Sequence, residues 1–185
     1  MSEARAPLPV ANPYQDPETI RRVLGYARTV AVVGLSSNVL RASNFVGYYL
    51  KLHGLRVIPV NPREREVYGE KAYPSLLEVP DPIDVVDVFR QPAYPSLLEV
   101  PDPVDVVDVF RQPDAVPAIA QEAVQVGAKA LWLQFGVISP EGAAIAAAGG
   151  LDVVMDRCMK IEHARYLGQM HWLGLNTGRI TSRRG

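Results

Sequence analysis

The residues best suited to chemistry lie in one stretch, Gly34-Leu35-Ser36-Ser37-Asn38-Val39-Leu40-Arg41-Ala42-Ser43-Asn44. It sets one glycine, three serines and one arginine between a β-branched run and a helical pattern. A glycine lets backbone approach a ligand closely. Free N–H groups at a helix start, with the helix dipole, favour an anion such as phosphate. The plainer alternative is a βα turn with a serine N-cap. A second stretch, Val60-Asn61-Pro62-Arg63, ends the next apolar run. An NAD enzyme shows GxGxxG in the first loop and an acid after the second strand; this chain has neither. Arginine in that place suits the extra ribose phosphate that NADP and coenzyme A both carry. The GxxxxGK[ST] phosphate loop is also missing.

Other reactive side chains read as structural. Cys158 lies in Asp156-Arg157-Cys158-Met159-Lys160-Ile161-Glu162-His163. A thiolate there could meet a thiol ligand with help from His163 or Arg157. Residues five apart on a helix stand about 140° apart, however, so Cys158 and His163 do not share a face. Glu162 and His163 are adjacent and point apart, which suits capping better than acid–base work. His53 and His171 have no metal-ligand spacing. Asp84 and Asp87 read as polar ends of a buried strand. The expectation is no catalytic residue and no metal site.

The elements that must hold these residues follow from pattern. Asp16-Pro17-Glu18 signals a helix start, and Ile20, Val23, Leu24 and Ala27 give it an apolar stripe to about Arg28. Thr29–Leu35 reads as a strand buried on both faces. Phe45, Val46, Tyr49, Leu50 and His53 recur at helical spacing until Gly54, and RVIPVNP forms a second strand. YPSLLEV predicts a short helix and DVVDVF a third strand. Asp114 is the expected cap of a helix ending at Gly127, followed by the strand ALWLQFGV. Ser139-Pro140-Glu141 opens an alanine-rich helix, and LDVVMD is a fifth strand. Strands alternating with helices predict a Rossmann-like α/β fold, a parallel sheet with helices on both faces. The domain spans 16–167, with tails at 1–15 and 168–185; the second tail, with Trp172, Asn176, Arg179, Arg183 and Arg184, could cover the site, pack on another subunit or stay solvated.

One segment occurs twice. Ala72–Pro92 and Ala93–Pro113 differ only at Ile83 against Val104, the mark of a recent or engineered tandem duplication. Each copy holds four of the 16 prolines and carries four acids against one base, so the remaining 164 residues are slightly basic. With strand three at the edge of a 3-2-1-4-5 order, the second copy predicts a sixth strand added at that edge.

Composition narrows the functions. At 48% hydrophobic and 21% charged, the 185 residues build a packed core rather than a disordered chain. A net charge of −1 gives no reason to expect nucleic acid or a membrane surface as partner. One cysteine excludes a disulfide framework and suits a reducing cytosol. No apolar run approaches the roughly 18 residues of a membrane helix, and the start lacks a signal-peptide build. The reading is therefore cytoplasmic.

The set VAVVGLSS, RVIPVNP, GEKAYPSL, DVVDVFR, ALWLQFGV and DVVMDRCMKIEH resembles the small single-domain CoA-binding proteins. These are similar in fold to the CoA-binding domain of the succinyl-CoA synthetase α subunit. The resemblance runs from about Thr29 to His163, interrupted by the extra copy. It implies coenzyme A as ligand, its pyrophosphate against Gly34, Ser36, Ser37, Arg41 and Ser43. It also implies that Asn61 and Pro62 flank the adenosine and that Arg63 and Lys71 serve the 3′-phosphate. Phe110, Arg111 and Gln134 would then line the pantetheine side, with Arg90 or Arg111 contacting ligand according to register. The expected function is binding of CoA or acyl-CoA without catalysis. The alternatives are an NADP-dependent oxidoreductase and a partner-binding scaffold with a vestigial site. A homo-oligomer or a protein partner stays open.

Overall fold

The computed structural model describes residues 12–89, 97–99 and 103–168. In chain order the strands are β1 (Thr29–Val33), β2 (Arg56–Val60), a hairpin of β3 (Glu66–Val67) and β4 (Glu70–Lys71), then β5 (Val85–Val88), β6 (Val106–Val109), β7 (Ala130–Leu133) and β8 (Asp152–Met155). The helices are α1 (Pro17–Leu24), α2 (Ala42–Leu52), α3 (Val116–Gln125), α4 (Pro140–Ala148) and α5 (Met159–Tyr166). Six strands form one parallel sheet in the order β2-β1-β5-β6-β7-β8, and β3–β4 stands apart as an antiparallel pair. The fold is α/β and Rossmann-like, as expected. No helix among the described residues is long and apolar enough to cross a membrane.

Alternation along the strands divides the core in two. Ala31, Val33, Val86, Val107 and Leu131 face the layer built by α3, α4 and the turn around Leu76. Val30, Val32, Val85, Val106 and Trp132 face the layer built by α1, α2 and α5. Each fully buried valine contributes about 1.5–3 kcal/mol. Helices α3 and α4 approach closely at Gly142, where a Cβ would lie 2.5 Å from Val116 Cγ1.

Several local expectations change. Helix α1 ends at Leu24 rather than Arg28, because Gly25 caps it and loses too much freedom to continue the helix. YPSLLEV makes only a 3-10 turn, Leu76–Glu78, repeated as Leu97–Glu99 in the second copy. Pro80 holds Val79 extended at ψ 119°, so the turn cannot lengthen. Asp114 does not cap α3. It sits in a 3-10 turn, Pro113–Ala115, and Ala115 occupies the N-cap without a side-chain bond. Pro117 in the first turn removes one N–H that would need a partner. Ser139 does cap α4, accepting from Gly142 N at 3.3 Å.

The sixth strand is present, but it is not at the edge. Strand β5 of the first copy pairs with β1, and β6 of the second copy lies between β5 and β7. Removing either strand from this order leaves 2-1-3-4-5, not 3-2-1-4-5. The reason lies in β2, which carries Pro59. Proline has no N–H to give a second neighbour, which suits a sheet margin. Its free side takes only a short contact, Tyr73 N donating to Pro59 O at 2.9 Å and Asn61 N to Tyr73 O at 2.8 Å. Strands β5 and β6 are buried at all four positions and need partners on both sides.

This strand order sets two carboxyls side by side. Asp87 and Asp108 are in register on adjacent strands, each 1% exposed. Both Asp108 oxygens accept from Gln134 Nε2, at 2.9 and 2.8 Å, while Asp87 Oδ1 has no partner among the described residues. Burial pushes Asp108 up to about 8; burial and then the Asp108 charge hold Asp87 well above the ordinary carboxylate value.

Two outcomes follow. The folded protein keeps protons on this pair that the unfolded chain releases above 3.8, so the pair's contribution to stability is greatest in acid and is lost as pH rises towards about 8. Asp87→Asn should lessen that fall without abolishing it, since Asp108 stays buried; the urea midpoint should drop less between mild acid and mild alkali than in the wild type. Deleting 93–113 should leave β5 to pair directly with β7. The shortened chain is expected to unfold in one cooperative transition by circular dichroism; a non-cooperative melt contradicts the interchangeable strands.

Candidate functional site

The sheet's carboxyl ends come into line through backbone bonds. Gly34 N donates to Val60 O at 2.8 Å, and Phe89 N donates to Val33 O at 3.1 Å. Gly34 adopts φ +87°, a conformation natural to glycine, and turns the chain sharply off β1. Beside it opens a cavity of about 360 Å³, lined by Gly34, Ser36, Arg41, Ala42, Ser43, Asn61, Arg63, Glu64 and Phe89. This is the crevice outside the strand ends, next to β1, where open α/β sheets take ligands.

Its wall is held by short polar bonds. Asn61, 5% exposed, donates from Nδ2 to Leu35 O at 2.8 Å and accepts from Arg63 N at 3.0 Å. Asn44 Nδ2 donates to Ser36 O at 2.7 Å, tying the loop to α2. The N-cap of α2 is Arg41, without a side-chain cap bond. The serine N-cap therefore does not form, and Ser43 lies within the helix.

Charge is uneven around the cavity. Arg41 and Arg63 are exposed at its rim, and among the described residues neither forms an ion pair. Glu64 turns to the loop instead. Its Oε1 accepts from Ser37 N at 2.9 Å and from Ser36 Oγ at 3.3 Å. The Ser37 N–H holds the Glu64 carboxyl below its usual range, so it is ionised. Two guanidinium groups and one carboxylate leave a net positive rim, suited to a phosphate-bearing ligand.

The sequence-derived residues divide into those around the cavity and those beyond it. Gly34, Ser36, Arg41, Ser43, Asn61 and Arg63 line it together. Ser37 and Pro62 are exposed neighbours of that lining. Lys71 stands on the β3–β4 hairpin with its Nζ 4.9 Å from the centre of the Tyr73 ring. Phe110 stacks behind Phe89 with ring centroids 4.0 Å apart, so the first copy faces the cavity. Arg111 is half-buried beyond Phe110. Gln134 is 2% exposed and engaged with Asp108 and with Met159 N. Arg90, His171 and the tail residues Trp172, Asn176, Arg179, Arg183 and Arg184 lie outside the described residues. Sequence reasoning missed Glu64 and Phe89. Phe89 carried the same signal as Phe110, and only the strand order separates them.

The reactive candidates are structural in their contacts. Burial pushes the Cys158 thiol up, which disfavours the thiolate. Glu162 is buried against Arg165 at 2.7 Å. His163 Nδ1 meets Tyr49 Oη at 3.2 Å; burial, then His53, lowers its pKa.

Comparison with known proteins decides the family. A family model described as a CoA binding domain matches residues 28–94 and again 90–164, each match holding one copy of the repeat. The chain belongs to this CoA-binding domain family. It is 32% identical over 145 residues to the uncharacterized protein YneT of Bacillus subtilis, covering 78% of this chain and 92% of that one. A hypothetical protein from Pyrococcus horikoshii has a solved structure 34% identical, with TM-score 0.57, covering 91% of this chain and all of the other. A shorter likeness, 36% over 66 residues, is to an ADP-forming acetate–CoA ligase of Archaeoglobus fulgidus, of which it covers 10%.

Asn61→Ala tests how the cavity wall is held. It leaves a buried Leu35 carbonyl without its donor, a loss of about 1–3 kcal/mol. Urea unfolding should show the lower midpoint with an unchanged slope.

Proposed function

We propose that this chain binds coenzyme A or an acyl-CoA in the cavity beside β1, phosphates against the Gly34–Ser43 loop, and itself carries out no chemical step. The observation that carries this reading is that Arg41 and Arg63, neither in an ion pair among the described residues, line one cavity that begins at the positive-φ turn of Gly34. A phosphorylated ligand needs close backbone approach and cationic partners, and both occur here. The family and the likeness to part of an acetate–CoA ligase support coenzyme A over other phosphate carriers. Asn61 and Pro62 at the end of β2 would flank the adenosine, with Arg63 and Lys71 towards the 3′-phosphate. Phe89 offers the apolar surface on the far side of Gly34, where the pantetheine arm would leave.

The contacts of the reactive candidates support binding without a chemical step. Cys158 is held as a thiol, and Glu162 and His163 are committed to Arg165 and Tyr49. The ligase activity belongs to a protein of which this chain matches a small part.

Calorimetry with CoA, acetyl-CoA, NADP and ATP on one preparation tests the reading. CoA and acetyl-CoA should bind, and NADP and ATP should be weaker. Tight NADP with inert CoA would make the chain an NADP protein; silence from all four would leave a scaffold. Arg41→Ala and Arg63→Ala should each weaken CoA by roughly tenfold, the worth of one charge-assisted contact.

A further inference from the structure

We infer that Glu64 occupies the phosphate position of this cavity and acts as a latch that an anionic ligand has to displace. The inference rests on the phosphate reading above and adds a residue that neither the loop motif nor the family match assigns.

The geometry is specific. A loop poised for an anion presents its N–H groups to the cavity. The Ser37 N–H is already taken, by Glu64 Oε1 at 2.9 Å, and the Ser36 hydroxyl leans on the same oxygen at 3.3 Å. The carboxylate thus makes the contacts a phosphate oxygen would make. It does so although Arg41 and Arg63 line the same cavity, and it pairs with neither. The root of Glu64 is fixed to the wall, its N–H donating to Asn61 O at 3.2 Å while Asn61 Nδ2 holds Leu35 O. Backbone and loop therefore stay in place while the side chain, only half-buried, can rotate away.

Displacement has a chemical consequence. A ligand phosphate takes the Ser37 N–H and the Ser36 hydroxyl, and the released carboxylate, only half-buried, turns out to water, which leaves Arg41 and Arg63 to the ligand. The exchange favours a ligand whose phosphate charge exceeds that of one carboxylate. It disfavours weak anions and neutral compounds, so the latch sets a threshold and keeps the loop folded meanwhile.

Two variants separate a latch from a simple charge. Glu64→Gln removes the charge; Glu64→Asp keeps it but is one methylene too short to reach Ser37 N. Calorimetry with CoA at fixed ionic strength should show both variants binding tighter than wild type, Glu64→Gln by roughly tenfold. Pantetheine, which has no phosphate, should bind all three alike. A gain in Glu64→Gln with Glu64→Asp equal to wild type would reduce the effect to charge and overturn the latch. No gain in either variant would overturn it too, with CoA binding itself intact. CoA inert towards all three proteins would overturn the phosphate reading along with it. CoA bound by the variants and not by the wild type would be the latch at full strength.

Discussion

Strands β5 and β6 are buried on both faces, and a parallel strand of that kind has to be paired on both edges as well. Every other feature of the sheet adjusts to this need. Val85, Val86 and Val88, and their equivalents Val106, Val107 and Val109, are all buried. Water on an open edge would leave unpaired N–H and C=O groups next to apolar side chains, an invitation to aggregate. The sheet takes both strands into its interior, and the margins go to β2, with its proline, and to β8. Residues 12–15 also help at the β8 margin, where Met155 N donates to Tyr14 O at 3.0 Å.

The interior position has consequences at both ends of the strands. At the carboxyl end it brings Phe89 of the first copy to the cavity and sets Phe110 behind it. Within the sheet it doubles a buried carboxyl. Gln134 offers Asp108 a donor, and Asp87 receives none at Oδ1 among the described residues. A buried acid without a partner is held neutral by desolvation. The cavity rim works the other way, because Arg41 and Arg63 are exposed there and the Ser37 N–H favours the ionised Glu64 carboxyl. Two adjacent copies of the strand thus set a pair of carboxyls with raised pKa in the core, apart from the charged rim at the strand ends.

Much of this was legible in residues alone. Apolar runs marked every strand of the large sheet, β-branched in all but β7, Asp16 and Ser139 marked helix starts, and Gly34, Ser36, Arg41, Ser43, Asn61 and Arg63 were recognisable as one loop and one strand end. Misreadings clustered where proline competes with local pattern. Pro80 stopped a helix that Leu76 and Leu77 suggested, Pro113 and Pro117 displaced the Asp114 cap, and Pro59 placed β2 at the margin. Such effects depend on which N–H is missing and which neighbour wanted it.

The amino-acid order by itself determined the elements, the α/β class and the presence of a phosphate-suited loop after β1, because periodicity, turn residues and charge type are local properties. Only the tertiary structure decided which strand neighbours which, which copy of the repeat faces the cavity, and where Glu64 points. Those are set by hydrogen-bond pairing between segments far apart in the chain. Two copies that differ at one buried position carry no local signal to distinguish them; their neighbours do.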